Sequence, residues 1–182
     1  MNIKYGLTAI LGTYLISTLG REPVMAATIG GTIKVNVIGG DFAGVYTGAF
    51  SYDDTHLTKV GTESMTVNGG NGDRPGLLSL NFRFLDLAEG LTPVTYTASD
   101  DFNFPDNPVL AFENGLPIQF GFQVAPGNDG GVWGGNNRFM FVYPGIFKFV
   151  LRNGTIGGEG LVTLEINHSP PPPVPENASP LA

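Results

Sequence analysis

The chain has 182 residues, a formal charge of −7, 14% charged residues and no cysteine. That is one ordinary domain, large enough to bury a full core, with neither a disulfide framework nor thiolate metal sites. Nine Lys and Arg against 16 Asp and Glu leave no electrostatic footprint for nucleic acid or an anionic membrane surface, and 13 Phe, 27 Gly and 14 Pro against one Trp is a composition of strands and tight turns.

Residues 1–26 read as a secretory signal peptide. Lys4 supplies the positive start, Gly6 to Leu19 an apolar run, and Val24-Met25-Ala26 the small-x-small pattern that predicts cleavage after Ala26. The run is too short for a membrane span. Gly6, Gly12 and Gly20 make it a poor first helix of the domain. Loss of Lys4, Arg21 and Glu22 with the leader brings the charge to −8.

From Thr28 the periodicity is two. Ile33, Val35 and Val37 alternate with Thr32, Lys34 and Asn36 in a first strand, and Gly44 to Tyr52 forms a second that ends in a turn at Asp53-Asp54-Thr55. Glu63 to Val67 is a third. Leu78, Leu80, Phe82 and Phe84 define a fourth with Ser79, Asn81 and Arg83 on its other face, and Val94 to Thr97 is a fifth. Ser99 to Pro108 is a loop, broken by two prolines. Val109 to Val124 is a hairpin around Asn114-Gly115. A three-residue turn, Glu113-Asn114-Gly115 with a bulge at Gly115, keeps its apolar residues on one face. Arg138 to Tyr143 is apolar on both faces and predicted to be central. The last hairpin, Ile146 to Ile166, turns at Asn153-Gly154. A two-residue type I′ turn there sets Lys148 opposite Glu159, Phe149 opposite Gly158 and Phe147 opposite Gly160. About ten strands without a helical period predict a single all-β domain over 27–168, an antiparallel β-sandwich or jelly-roll-like fold. Residues 169–175 are a proline-rich linker and 176–182 a short tail.

Chemistry is thinly marked. Asp100, Asp101 and Asp106 place three hard oxygen donors in one loop, the pattern a calcium ion would use, although Asp also favours turns for local reasons. No other cofactor is indicated. Trp133, set between glycine pairs, could stack on a sugar ring or fold back to cap the core. His56, beside a turn, and His168, at the linker, are the only histidines, so no His-based triad or zinc site assembles. Two loop carboxylates at a suitable spacing would serve a glycoside-processing enzyme.

The tail, Val174-Pro175-Glu176-Asn177 with Ala178 to Ala182, behind a proline linker and with a leader at the other end, resembles the start of the PEP-CTERM sorting signal of exported bacterial proteins. The stretch Gly48 to Asp54 looks like the β-rich domains of its cyanobacterial members. In that family a Pro-Glu-Pro-like motif precedes an apolar helix and a basic tail. Here Asn177 replaces the second Pro, and the chain ends where the helix would begin, a signal truncated after its motif. The resemblance implies export to the periplasm, outer surface or extracellular matrix of a Gram-negative bacterium, processing by signal peptidase and an exosortase-like system, and company with exopolysaccharide. It implies no enzymatic activity. The expected function is that of an exported, non-catalytic surface or matrix protein; the alternatives are a carbohydrate-binding module and a glycoside-processing enzyme.

Overall fold

The computed structural model describes residues 28–71, 74–88, 91–126 and 136–167. The leader with Ala26, the loop with Trp133, and Val174, Pro175, Glu176 and Asn177 lie outside the described residues. The strands are β1 (Thr28–Gly39), β2 (Gly44–Asp53), β3 (Thr62–Thr66), β4 (Arg74–Pro75), β5 (Leu77–Leu85), β6 (Pro93–Thr97), β7 (Val109–Glu113), β8 (Leu116–Val124), β9 (Arg138–Tyr143), β10 (Gly145–Val150) and β11 (Ile156–Asn167).

The fold is all-β and antiparallel, as the period-two pattern predicts. Its strands lie in one curled sheet, a half-barrel, in the order β4-β3-β7-β8-β9-β10-β11-β1-β2-β5-β6. Two-residue β4 alone runs parallel to its neighbour. The curl carries β2 and β5 over β7 to β10, so the interior is packed from two sides as in a sandwich. Phe50 of β2 lies 5.0 Å from Phe120 of β8, and Phe82 of β5 lies 5.6 and 5.3 Å from Phe139 and Phe141 of β9. At one end the chain itself joins the two margins. Gly76, between β4 and β5, accepts a hydrogen bond from Asp53 N and donates one to Thr66 O, so residues 74–85 leave β3 and continue along β2.

Inward positions are filled with phenylalanine. Nine of them, from Phe82 to Phe149 along β5, β7, β8, β9 and β10, are among the largest fully buried side chains. Their rings meet mostly edge-on or tilted, the arrangement that sets the positive edge of one ring against the negative face of another. Tyr96 belongs to this core, and burial pushes its phenol up to about 12; the hydroxyl donates to Leu85 O and accepts from Leu87 N.

Both hairpins correct the predicted turn. At Asn114-Gly115 the turn has two residues, with both at positive φ (50° and 81°), and pairs Glu113 with Leu116. The extra residue sits further along β8, where the register shifts at Ile118. Leu110 therefore faces Phe120, not Ile118, and Leu116 is 67% exposed. At the last hairpin the two-residue turn gives way to three residues. Gly154 N bonds Leu151 O, Leu151 N bonds Thr155 O, and Gly154 takes φ 86°. A bulge at Gly157 then restores the predicted pairs Phe149/Gly158, Lys148/Glu159 and Phe147/Gly160. Lys148 and Glu159 form an ion pair at 3.3 Å. A third bulge corrects β5. Ser79 pairs with Ser51 but Leu77 with Tyr52, so Leu77 is buried and Leu78, expected inside, is 56% exposed. β9 is central, between β8 and β10, as predicted.

Candidate functional site

The loop that follows β6 holds the three acids singled out as calcium ligands, and each carboxylate is engaged by backbone N–H groups of a different place. Asp100 accepts from Thr97 N and Thr97 Oγ1, closing a capping box around the single turn Ala98–Asp100. Asp106 Oδ1 accepts from Asn71 N and ties down the turn after β3. Asp101 is buried: Oδ1 accepts from Asn103 N and Oδ2 from Gln123 N, while Phe102 N donates to Gln123 O. Past the pair Val109/Gly121, where β7 begins, residues 101–103 thus take the place beside β8 that a longer β7 would occupy. The structure brings the three acids into one loop without turning them toward a common point. Among the described residues no group of three His, Asp or Glu is placed to hold a metal ion.

Asp101 also borders a recess of about 160 Å³ with Asn107, Gly121, Gln123, Met140 and Val142 on the outer side of β8 and β9. Removal from water pushes its carboxyl up to about 6, against the two backbone hydrogen bonds that hold it down. A folded-state pKa above the unfolded value favours the native state at low pH, and the benefit is lost as pH rises through about 6. Urea melts should therefore show the protein about 1 kcal/mol more stable at pH 5 than at pH 7.5. Asp101→Asn, which removes the titration, should flatten that difference. A gain that survives in the variant would assign it to other groups.

A second recess, about 360 Å³, is lined by Leu87, Ala88, Pro126, Asn136, Asn137 and Arg152. Asn137 organises it. Its Nδ2 donates to Leu87 O and its Oδ1 accepts from Arg152 N, so one amide binds the turn after β5 to the turn between β10 and β11. Asn136 Nδ2 donates to Pro126 O across the base of the loop that carries Trp133. Exposed Arg152 and part-buried Asn136 both line it, side chains whose donors and acceptor suit hydroxyl or carboxylate groups of a saccharide. Residue by residue, the sequence offered no signal for this recess beyond the Asn-rich end of a glycine loop, because the bonds that build it span 15 and 50 residues.

A further hollow, about 330 Å³, opens on the outer side of β10, β11 and β1. Ile38, Gly39, Ile146, Lys148, Glu159, Gly160 and Leu161 line it. No family model, curated protein or solved structure matches the chain.

Proposed function

We propose that the chain is an exported, non-catalytic protein of the cell surface or extracellular matrix of a Gram-negative bacterium, freed from its leader by signal peptidase after Ala26 and handled at its tail by an exosortase-like system. The leader pattern and the motif Val174 to Asn177 support the address. What supports a non-catalytic role is the use made of the acids: Asp53, Glu63, Asp100 and Asp101 accept backbone N–H groups that shape their own loops, and Asp106 accepts one from the turn after β3. Carboxylates so committed act as structural staples. A second reading, a carbohydrate-binding module, is favoured by the recess at Asn136, Asn137 and Arg152, because two of its lining residues, Pro126 and Asn136, flank in sequence the stretch 127–135 that contains Trp133.

One experiment addresses both. The whole chain, expressed in a Gram-negative host, should be recovered outside the cytoplasm with Ala27 as its new first residue. Cytoplasmic protein that retains Met1 would overturn the export reading. The recovered protein is then applied to a polysaccharide array. Binding abolished by both Arg152→Ala and Trp133→Ala would select the carbohydrate module, and turnover of any polysaccharide would replace both readings with the glycoside-processing enzyme.

A further inference from the structure

We infer that the outer face of β10, β11, β1 and β2 is an interface between two copies of this chain, a contact that goes beyond the proposed address and stands independently of it. Outward positions on these strands are mostly Thr, Asn, Lys and Glu, as a wet sheet face requires. Four residues break that pattern together. Ile38, Val45, Ile146 and Leu161 are 68%, 58%, 55% and 56% exposed. The register gathers them: Ile146 is opposite Leu161, Leu161 opposite Asn36, and Asn36 opposite Val45. Ile38 joins them by simple alternation, two residues beyond Asn36 on the same face of β1, at the point where the register with β11 shifts between Val37 and Gly39.

Shape and charge both point to a second copy as the occupant. The protruding Ile38 stands at the margin of the hollow whose floor includes Gly39 and Gly160, so a two-fold axis through the patch would let each copy's Ile38 enter the other's hollow. A two-fold contact requires one surface to be complementary to itself. Lys148 and Glu159 meet that requirement. They form the polar rim of the hollow at 3.3 Å, with side chains 42% and 57% exposed, and the same axis would set Lys148 of one copy against Glu159 of the other. The chain as a whole carries −7, yet this face is locally neutral. A face that offers both signs lets two copies of like net charge meet without local repulsion. Four strands at about 4.8 Å spacing and roughly 30 Å length give a face of the order of 600 Å² in projection. Accessible area exceeds projection, which brings it near the roughly 800 Å² per partner of a stable interface.

The test uses the full chain in sedimentation velocity from about 1 to 200 µM, a range that brackets micromolar dissociation constants. The wild type should pass from monomer to dimer. Leu161→Asp, at an exposed position that leaves the fold intact by circular dichroism, should remain monomeric. Lys148→Glu and Glu159→Lys should each weaken self-association about tenfold. Mixed in equal amounts, the two charge variants should associate again, because each then meets an opposite charge at both contacts. A wild type that stays monomeric overturns the proposal and leaves the face to a different partner. So does a mixture that associates no better than either variant alone.

Discussion

Phe84→Ala is expected to lower the stability of the domain by about 3–5 kcal/mol, the upper range for loss of a buried aromatic side chain. Phe84 has no exposure, and its ring meets those of Tyr46, Phe82, Phe139, Phe147 and Phe149 at 4.7, 6.1, 5.1, 5.2 and 5.3 Å. These neighbours belong to β2, β5, β9 and β10, so the ring fastens the two halves of the curled sheet together. Neighbours anchored on four different strands cannot close in on the cavity at once, and little of the lost packing is recovered. The change is read as a fall in melting temperature of roughly 10–20 °C, or as a lower urea midpoint at unchanged slope. Leu78→Ala, six residues away on the same strand, removes a side chain 56% exposed and should cost less than about 1 kcal/mol. Equal losses in the two variants would mean that the interior is not packed around Phe84.

Gly160→Ala should be nearly as damaging for a different reason. A Cβ at Gly160 would fall onto the Asn36 carbonyl oxygen and within 2.7 Å of Val37 Cα, both on the neighbouring strand. The obstacle is backbone, so no rotamer change makes room. β1 and β11 would have to part where Val37 pairs with Gly160, at the margin of the bulge that follows Val37. Overpacking of this kind costs about 3 kcal/mol when the neighbour cannot move. Gly121→Ala is the control, since a Cβ there meets nothing within 4 Å. It should be neutral or slightly stabilising through its effect on the unfolded chain. If Gly160→Ala melted with the wild type, the close approach of β1 and β11 would be wrong.

Parity along the strands was legible in the sequence, and the position of each extra residue was not. Alternation put Ile33, Val35, Phe82, Phe84, Phe147 and Phe149 inside, and all are buried. A hairpin with its extra residue in the turn and one with it in the strand direct the same side chains inward beyond the bulge and differ only between turn and bulge, as at Leu116, so most of the pattern cannot choose between them. Contacts from outside each hairpin make the choice. Asn114 Oδ1 accepts from Gly61 N while Asn114 N donates to Gly61 O, a clasp across 53 residues that favours the tight turn. At the other hairpin Asn137 Oδ1 takes up Arg152 N. The candidate site follows the same rule. Asp101 stood out as an acid in a loop, but its partner Gln123 lies 22 residues away on β8, and only the fold shows that clasp.

The place of β11 in the sheet bears on when the protein can fold. Among the described residues β11 is the last strand to be synthesised, and it lies in the middle, between β10 and the earliest of them, β1. Before residues 156–167 emerge, β1-β2-β5-β6 on one side and β4-β3-β7-β8-β9-β10 on the other lack the strand that pairs with both β1 and β10. Closing that gap brings together residues such as Ile33 and Leu164, nearly the full length of the domain apart, and pairings that distant form slowly. The order of translation therefore holds the polypeptide open until its end is available. Under the export proposed above, that delay would keep the chain extended for threading through a channel.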